Sequence, residues 1–285
     1  MKLRTLFSIF ASGIFAFSAV ASFAQDDDLS DPLNPKAAPP RIYIGPVAGY
    51  NRAIHTGKFA SIPNSVNNSP VPCPIFDGGS KNGFYVGGTM EYLLGNPKDA
   101  VSSIIGKLVY NYLPGSFAIT GLPYNVVDPN GRPVSTTVQH VDEVNYQTID
   151  LELLYKLNLF GSSFGVVAGP TMGMSLGKAT HLQQFELVQP TNATFEVDPE
   201  AEAKHLKYSD DKRTITISDG ELPNAETLRA AIKAGVQYEI LNLFGSRRFI
   251  LAPHVFYNFG ITKLTSAENW RVNAFQTGVD LRYGF

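Results

Sequence analysis

Period-two alternation constrains this chain more than any other feature. After residue 40, runs of roughly ten residues rich in Tyr, Val, Ile, Leu and Gly recur, as strands do. They lie near 41–51, 83–94, 104–113, 144–157, 163–176, 229–241, 248–262 and 271–285. In the last, Phe275, Thr277, Val279, Leu281, Tyr283 and Phe285 share one face, and Gln276, Gly278, Asp280, Arg282 and Gly284 share the other. In 148–157, Ile149, Leu151, Leu153, Tyr155 and Leu157 oppose Asp150, Glu152 and Lys156. In 231–240, Ile232, Ala234, Val236, Tyr238 and Ile240 oppose Lys233, Gln237 and Glu239. Side chains alternate across a strand, so each segment has one apolar and one polar face.

A soluble sandwich would alternate too. Three features favour a membrane barrel. The segments match the ~9–11 residues that a tilted strand needs to cross a bilayer. The polar face is small and charged, as in the crowded lumen of a narrow barrel. The links run roughly 30, 9, 30, 5, 52, 6 and 8 residues, so long outer loops alternate with short turns. The expected fold is all-β: an eight-stranded antiparallel transmembrane β-barrel with long outer loops and short periplasmic turns, 41–51 closing on 271–285. A ten-stranded barrel using 183–188 and 194–197 is the rival, although those runs are polar and broken. With 214–217 they suit hairpins extending the barrel outward. The stretch 225–234 has the composition to open as a helix, with Glu226, Leu228, Arg229 and Ala230.

The N-terminus reads as an export signal over 1–24. Lys2 and Arg4 precede an apolar stretch at 6–20, and Ser22-Phe23-Ala24 offers small residues at the two positions a signal peptidase reads. An uncleaved membrane anchor is the alternative. Residues 25–40, with Pro32, Pro35, Pro39 and Pro40, form a periplasmic leader, and 41–285 form the barrel domain. No run reaches the ~18 apolar residues of a spanning helix. Cys73 is the only cysteine, which excludes a disulfide framework and cysteine-rich metal sites. A net charge of −2 gives no sign of a nucleic-acid partner.

The C-terminal pattern Gln276-x-Gly278-x-x-Leu281-x-Tyr283-x-Phe285 looks like the closing-strand signal of outer-membrane barrels, read by the assembly machinery of Gram-negative bacteria. From about Arg41 the chain resembles the small outer-membrane β-barrel families. It is similar in style to the PorT-like barrels of Bacteroidota, with strand openings Ile44-Gly45-Pro46-Val47-Ala48-Gly49-Tyr50-Asn51 and Gly83-Phe84-Tyr85-Val86-Gly87-Gly88. The resemblance implies residence in the outer membrane and carries no catalytic residues over.

Glu91, Lys107, Asp150, Glu152, Lys156, Lys233, Glu239, Asp280 and Arg282 are expected to face inward. Buried charges must pair, so these form either a salt-bridged plug or the wall of a narrow polar passage. His254 is expected in the lumen as a hydrogen-bonding group, with Ala252, Phe256 and Asn258. His55, His140, His181 and His205 are scattered over the loops without metal-ligand spacing, so neither metal nor cofactor is expected. No Ser or Asp stands beside a His in a catalytic pattern, so the expectation is a non-enzymatic surface barrel. Its partners would be outer-membrane lipids, the assembly machinery and an extracellular or envelope component met through the loops. A passage for small solutes or apolar molecules is the alternative, and a barrel hydrolase a third class.

Overall fold

The computed structural model describes residues 40–59, 75–97, 100–128, 131–197, 199, 206–241, 243, 246 and 248–285. The export signal, most of the leader, Cys73 and His205 lie outside them. Eight strands close into one antiparallel barrel: β1 (Ile42–Phe59), β2 (Phe76–Leu94), β3 (Ser102–Tyr112), β6 (Gln147–Asn158), β7 (Phe164–Ser175), β11 (Leu228–Tyr238), β12 (Phe249–Gly260) and β13 (Arg271–Gly284). Each corresponds to one of the eight segments expected from alternation. β1 pairs with β13 from Tyr43↔Gly284 to Thr56↔Arg271, which closes the ring. A closed ring leaves no edge strand with unpaired backbone groups. The eight-stranded reading therefore holds, and the ten-stranded rival does not.

Short connections, both described chain ends and the 3-10 turn Leu159–Gly161 lie at one end of the barrel, the turn end. In that turn Phe160 takes a positive φ of 53° and stands fully exposed. The opposite, loop end carries a second sheet of five strands in the order β4-β5-β8-β10-β9. These are β4 (Gly115–Val127), β5 (Pro133–Asn145), β8 (Thr180–Gln189), β9 (Lys207–Tyr208) and β10 (Thr214–Glu221).

The second sheet corrects the expectation in two places. The link 114–143 is a hairpin, β4 with β5, and not an irregular loop. β3 runs into β4 through Leu113-Pro114, and β5 into β6 through Tyr146 alone, so the hairpin continues two barrel strands past a bend. Of the β-prone runs, 183–188 and 214–217 lie in β8 and β10, whereas 194–197 holds only an isolated bridge residue.

The helix expected over 225–234 is replaced by β11. It pairs with β7 from Leu228 to Tyr238 and with β12 from Ala231 to Gln237. Two ladders satisfy every backbone group of a central strand, and that outweighs a preference of tenths of a kcal/mol per residue.

Three buried layers follow the barrel axis. Near the turn end Tyr43, Ile250 and Ala252 cluster. Ile105, Leu154, Val167 and Phe256, with Val47, Tyr85 and Val109, occupy the middle. At the loop end Phe76, Leu113, Phe117, Tyr146, Leu264 and Trp270 form the largest cluster, drawn from both sheets and the β12–β13 loop. The second sheet has its own core, including Phe185, Phe195, Val138 and Ile215.

Candidate functional site

All nine charged residues expected in the lumen are buried there. Lys107 Nζ lies 3.0 Å from the Asp280 carboxylate. Lys233 pairs with Glu152. Lys156 reaches Glu91 at 2.5 Å and also pairs with Glu239. Arg282 is the hub: it pairs with Glu91 and Asp280, donates to Gln237 Oε1 at 3.1 Å and stands 3.7 Å from Glu239. Ser103 donates to Glu91.

One member was missed. Arg229 is buried and contacts Asp150 Oδ2 at 2.9 Å, with Asn111 Nδ2 donating to the same oxygen at 2.9 Å. Gln276 in turn donates to Asn111 at 3.0 Å. The signal was present, since Arg229 lies four residues before Lys233 and so shares its face. The helical reading of 225–234 hid it. With Arg229 included, five carboxylates face five cations, and each of the ten has at least one ion-pair partner.

The lumen is also crossed by neutral groups. His254 Nδ1 donates to the Ala252 carbonyl at 3.2 Å, so its Nε2 accepts from the Tyr85 hydroxyl at 2.5 Å. Tyr85 fits because Gly49 and Gly278 pair opposite it, and a Cβ on either would strike its ring or hydroxyl. Gly278, singled out as part of the closing signal, thus also has a packing role. At the loop end Trp270 Nε1 donates to His55 Nδ1, and His55 Nε2 to the Leu113 carbonyl, both at 3.1 Å. His55 is wedged between Phe117 and Trp270. Ion pairs therefore fill the shaft, and an aromatic lid covers its loop end.

A different polar group is buried in the second sheet. His140 and Asp142 on β5, and His181 and Gln183 on β8, share one buried face. The scattered histidines of the sequence are thus brought together in part. Gln183 Nε2 donates to His140 Nε2 at 2.7 Å, and His140 packs at a tilt against Phe185 with ring centres 4.3 Å apart. Burial pushes His140 down to about 4 and lowers His181. Asp142 is fully buried, and neither carboxyl oxygen has a hydrogen-bond partner among the described residues. Burial first, and Glu143 second, push its carboxyl up to about 8. No cluster of three or more His, Cys, Asp or Glu suited to a metal occurs among the described residues.

The outer wall of the barrel is apolar. Leu108, Leu151, Leu153, Met172 and Ile232 are all about half exposed or more. Tyr and Phe gather towards both ends: Phe84, Tyr110 and Tyr112 near the loop end, Phe249, Tyr283 and Phe285 near the turn end. The closing-strand residues are split by face. Gln276 and Gly278 point inward, while Leu281, Tyr283 and Phe285 point outward.

No protein-family model matches the chain, and no curated protein does. Solved structures do match. Neisserial surface protein A is 12% identical with a TM-score of 0.35, over 86% of this chain and 97% of that one. Ail, the attachment invasion locus protein of Yersinia pestis, is 10% identical with a TM-score of 0.33, over 85% and 98%. The outer membrane protease OmpT from Escherichia coli is 9% identical with a TM-score of 0.29, over 89% and 99%. The barrel assignment rests on the strand pairing itself, and no activity, ligand or partner follows from likenesses at this level.

Proposed function

We propose that this protein is a closed anchor in the outer membrane of a Gram-negative bacterium, holding a folded lobe of β4, β5, β8, β9 and β10 at the cell surface. The observation that carries the reading is the sealed lumen: ten paired charges in the shaft and an aromatic lid over its loop end. Membrane residence is supported by the apolar wall. A continuous apolar band of this kind is incompatible with water, and aromatic girdles at both ends suit the two interfaces of a bilayer. An export signal over 1–24, cleaved near Ala24, belongs to the same reading. So does the PorT-like resemblance, which rests on the strand openings at 44–51 and 83–88. Lipids surround the wall, the assembly machinery reads the β13 end, and the lobe meets an extracellular or envelope component.

Conductance of the refolded chain in planar bilayers tests the anchor. The expected result is no stable channel. Channels of porin size would overturn it and raise the solute passage in its place.

A further inference from the structure

Three neighbouring strands of the lobe bring together a hydroxyl, an imidazole and a carboxyl. Ser218 on β10 lies 3.2 Å from His181 Nε2 on β8 through its Oγ. On the other side of that ring, Nδ1 lies 4.0 Å from Asp142 Oδ1 on β5. The register explains the juxtaposition. Asp142 and Ser218 both lie opposite Gln183, two residues from His181, and the ladder is irregular between Thr216 and Ser218.

His181 and Ser218 also line a cleft of about 480 Å³. Its far wall is 222–225, which is tied down: Leu222 N–H donates to the Ala179 carbonyl at 2.7 Å, and Ala225 bridges to Thr265. Leu222, Pro223 and Ala225 give that wall apolar surface beside the polar Asn224, while Lys178 and Glu221 pair at the rim, 2.5 Å apart. A substrate with a short acyl group suits such a cleft, with Lys178 facing an oxygen that gains charge once it is drawn from Glu221.

A fully buried carboxyl without a hydrogen bond is costly and uncommon, and such groups concentrate at reactive sites. Asp142 is aimed at the imidazole whose other nitrogen holds a serine. We infer that Ser218, His181 and Asp142 form a hydrolytic site for short-chain carboxylic esters on the surface lobe. Ser218 Oγ attacks the ester carbonyl and passes its proton to His181 Nε2, and His181 returns it to the departing alkoxide as the C–O bond breaks. Water then attacks the acyl-serine, His181 takes its proton, and the acid leaves as Oγ is reprotonated. Asp142 is a positioning residue that acts on the ring by its charge, from 4.0 Å and without a hydrogen bond to Nδ1. The site needs the folded lobe and not the sealed shaft, so the conductance test and this one fail separately. It departs from the non-enzymatic expectation, because residues 142, 181 and 218 form no local motif.

The test uses the refolded full chain in detergent micelles with a fluorophosphonate, which phosphonylates activated serines, followed by peptide mass mapping. Label on Ser218 is expected, with hydrolysis of p-nitrophenyl butyrate. H181Q should slow both by about a hundredfold or more, and the exposed Ser135→Ala should change neither. The wild-type rate should climb about tenfold per pH unit to a plateau above about 8, as Asp142 ionises, and D142N should lose that climb. Heat-modifiable gel mobility reports the folded barrel of each variant, and amide exchange in β8 and β10 its folded lobe. Absence of label on Ser218, labelling of folded H181Q at the wild-type rate, or label without ester turnover would each overturn the site.

Discussion

The barrel shaft and the five-stranded lobe bury polar groups by opposite strategies. In the shaft five carboxylates meet five cations, and each is paired. In the lobe His140, Asp142, His181 and Gln183 are buried just as deeply, yet no buried cation accompanies Asp142 among the described residues. Paired charges are rigid and costly to disturb singly. An unpaired carboxyl instead shifts its protonation, which makes the lobe pH-sensitive and chemically available. The contrast says where to look for strength and where for reactivity.

The largest effect is expected from Arg282→Ala. It takes from Glu91 and Asp280 one of the two cations each of them faces, leaving Lys156 and Lys107, and breaking a buried pair by removing one partner costs about 3–5 kcal/mol. Urea unfolding of the refolded barrel should show a midpoint lowered to match. Replacing both members of the Lys233–Glu152 pair with Met and Leu should cost far less, since an apolar pair of similar volume is often neutral. Equal losses in the two variants would break the account of the shaft.

The next effect belongs to the lobe and to pH. Asp142, at about 8 when folded, has a value of about 3.9 in an unfolded chain. Between those values the folded state keeps a proton that the unfolded state has lost, so stability falls as pH rises and levels off above about 8. His140 and His181 act in the opposite sense. Their folded values are depressed, so stability rises with pH up to about 6.5, the unfolded value, and is then level. Lobe stability should therefore peak near pH 6.5 and fall by at most about 2 kcal/mol by pH 8. Amide exchange in β8 and β10 should follow this curve, with β13 as the internal reference. Asp142→Asn should remove the fall and leave the rise. A fall that persists in that variant would show that another group sets it.

The smallest effect on stability, and a larger one on biogenesis, is expected at Phe285. It is exposed, its N–H donates to the Ile42 carbonyl at 3.0 Å, and its ring meets Tyr283 edge-on. Deleting it should cost under about 1 kcal/mol in the refolded barrel, as outward surface changes do. In cells the deletion should leave export and signal cleavage intact while reducing the heat-modifiable barrel in outer-membrane fractions. A normal yield there would remove the assembly role and leave Phe285 a rim residue.

Alternation made the faces legible, down to single residues. The sequence alone sets Lys107, Lys156, Lys233 and Arg282 in the lumen, because a pleated backbone sends every second side chain the same way. Arg229 obeyed the same rule and was lost only to a competing helical propensity. The β4–β5 hairpin was less visible, since its strands continue β3 and β6 past a bend and read as loop.

The amino-acid order by itself determined the number of barrel strands, their facing and the balance of long and short connections, because each is a property of a segment and its own period. Only the tertiary structure decided which charge meets which. Lys156 on β6 reaches Glu91 on β2 and Glu239 after β11 across the shaft, and such meetings depend on strand tilt and stagger around a closed ring. The same holds for Ser218, His181 and Asp142. Three strands bring them together by the register of two ladders, and no spacing within the chain encodes that register.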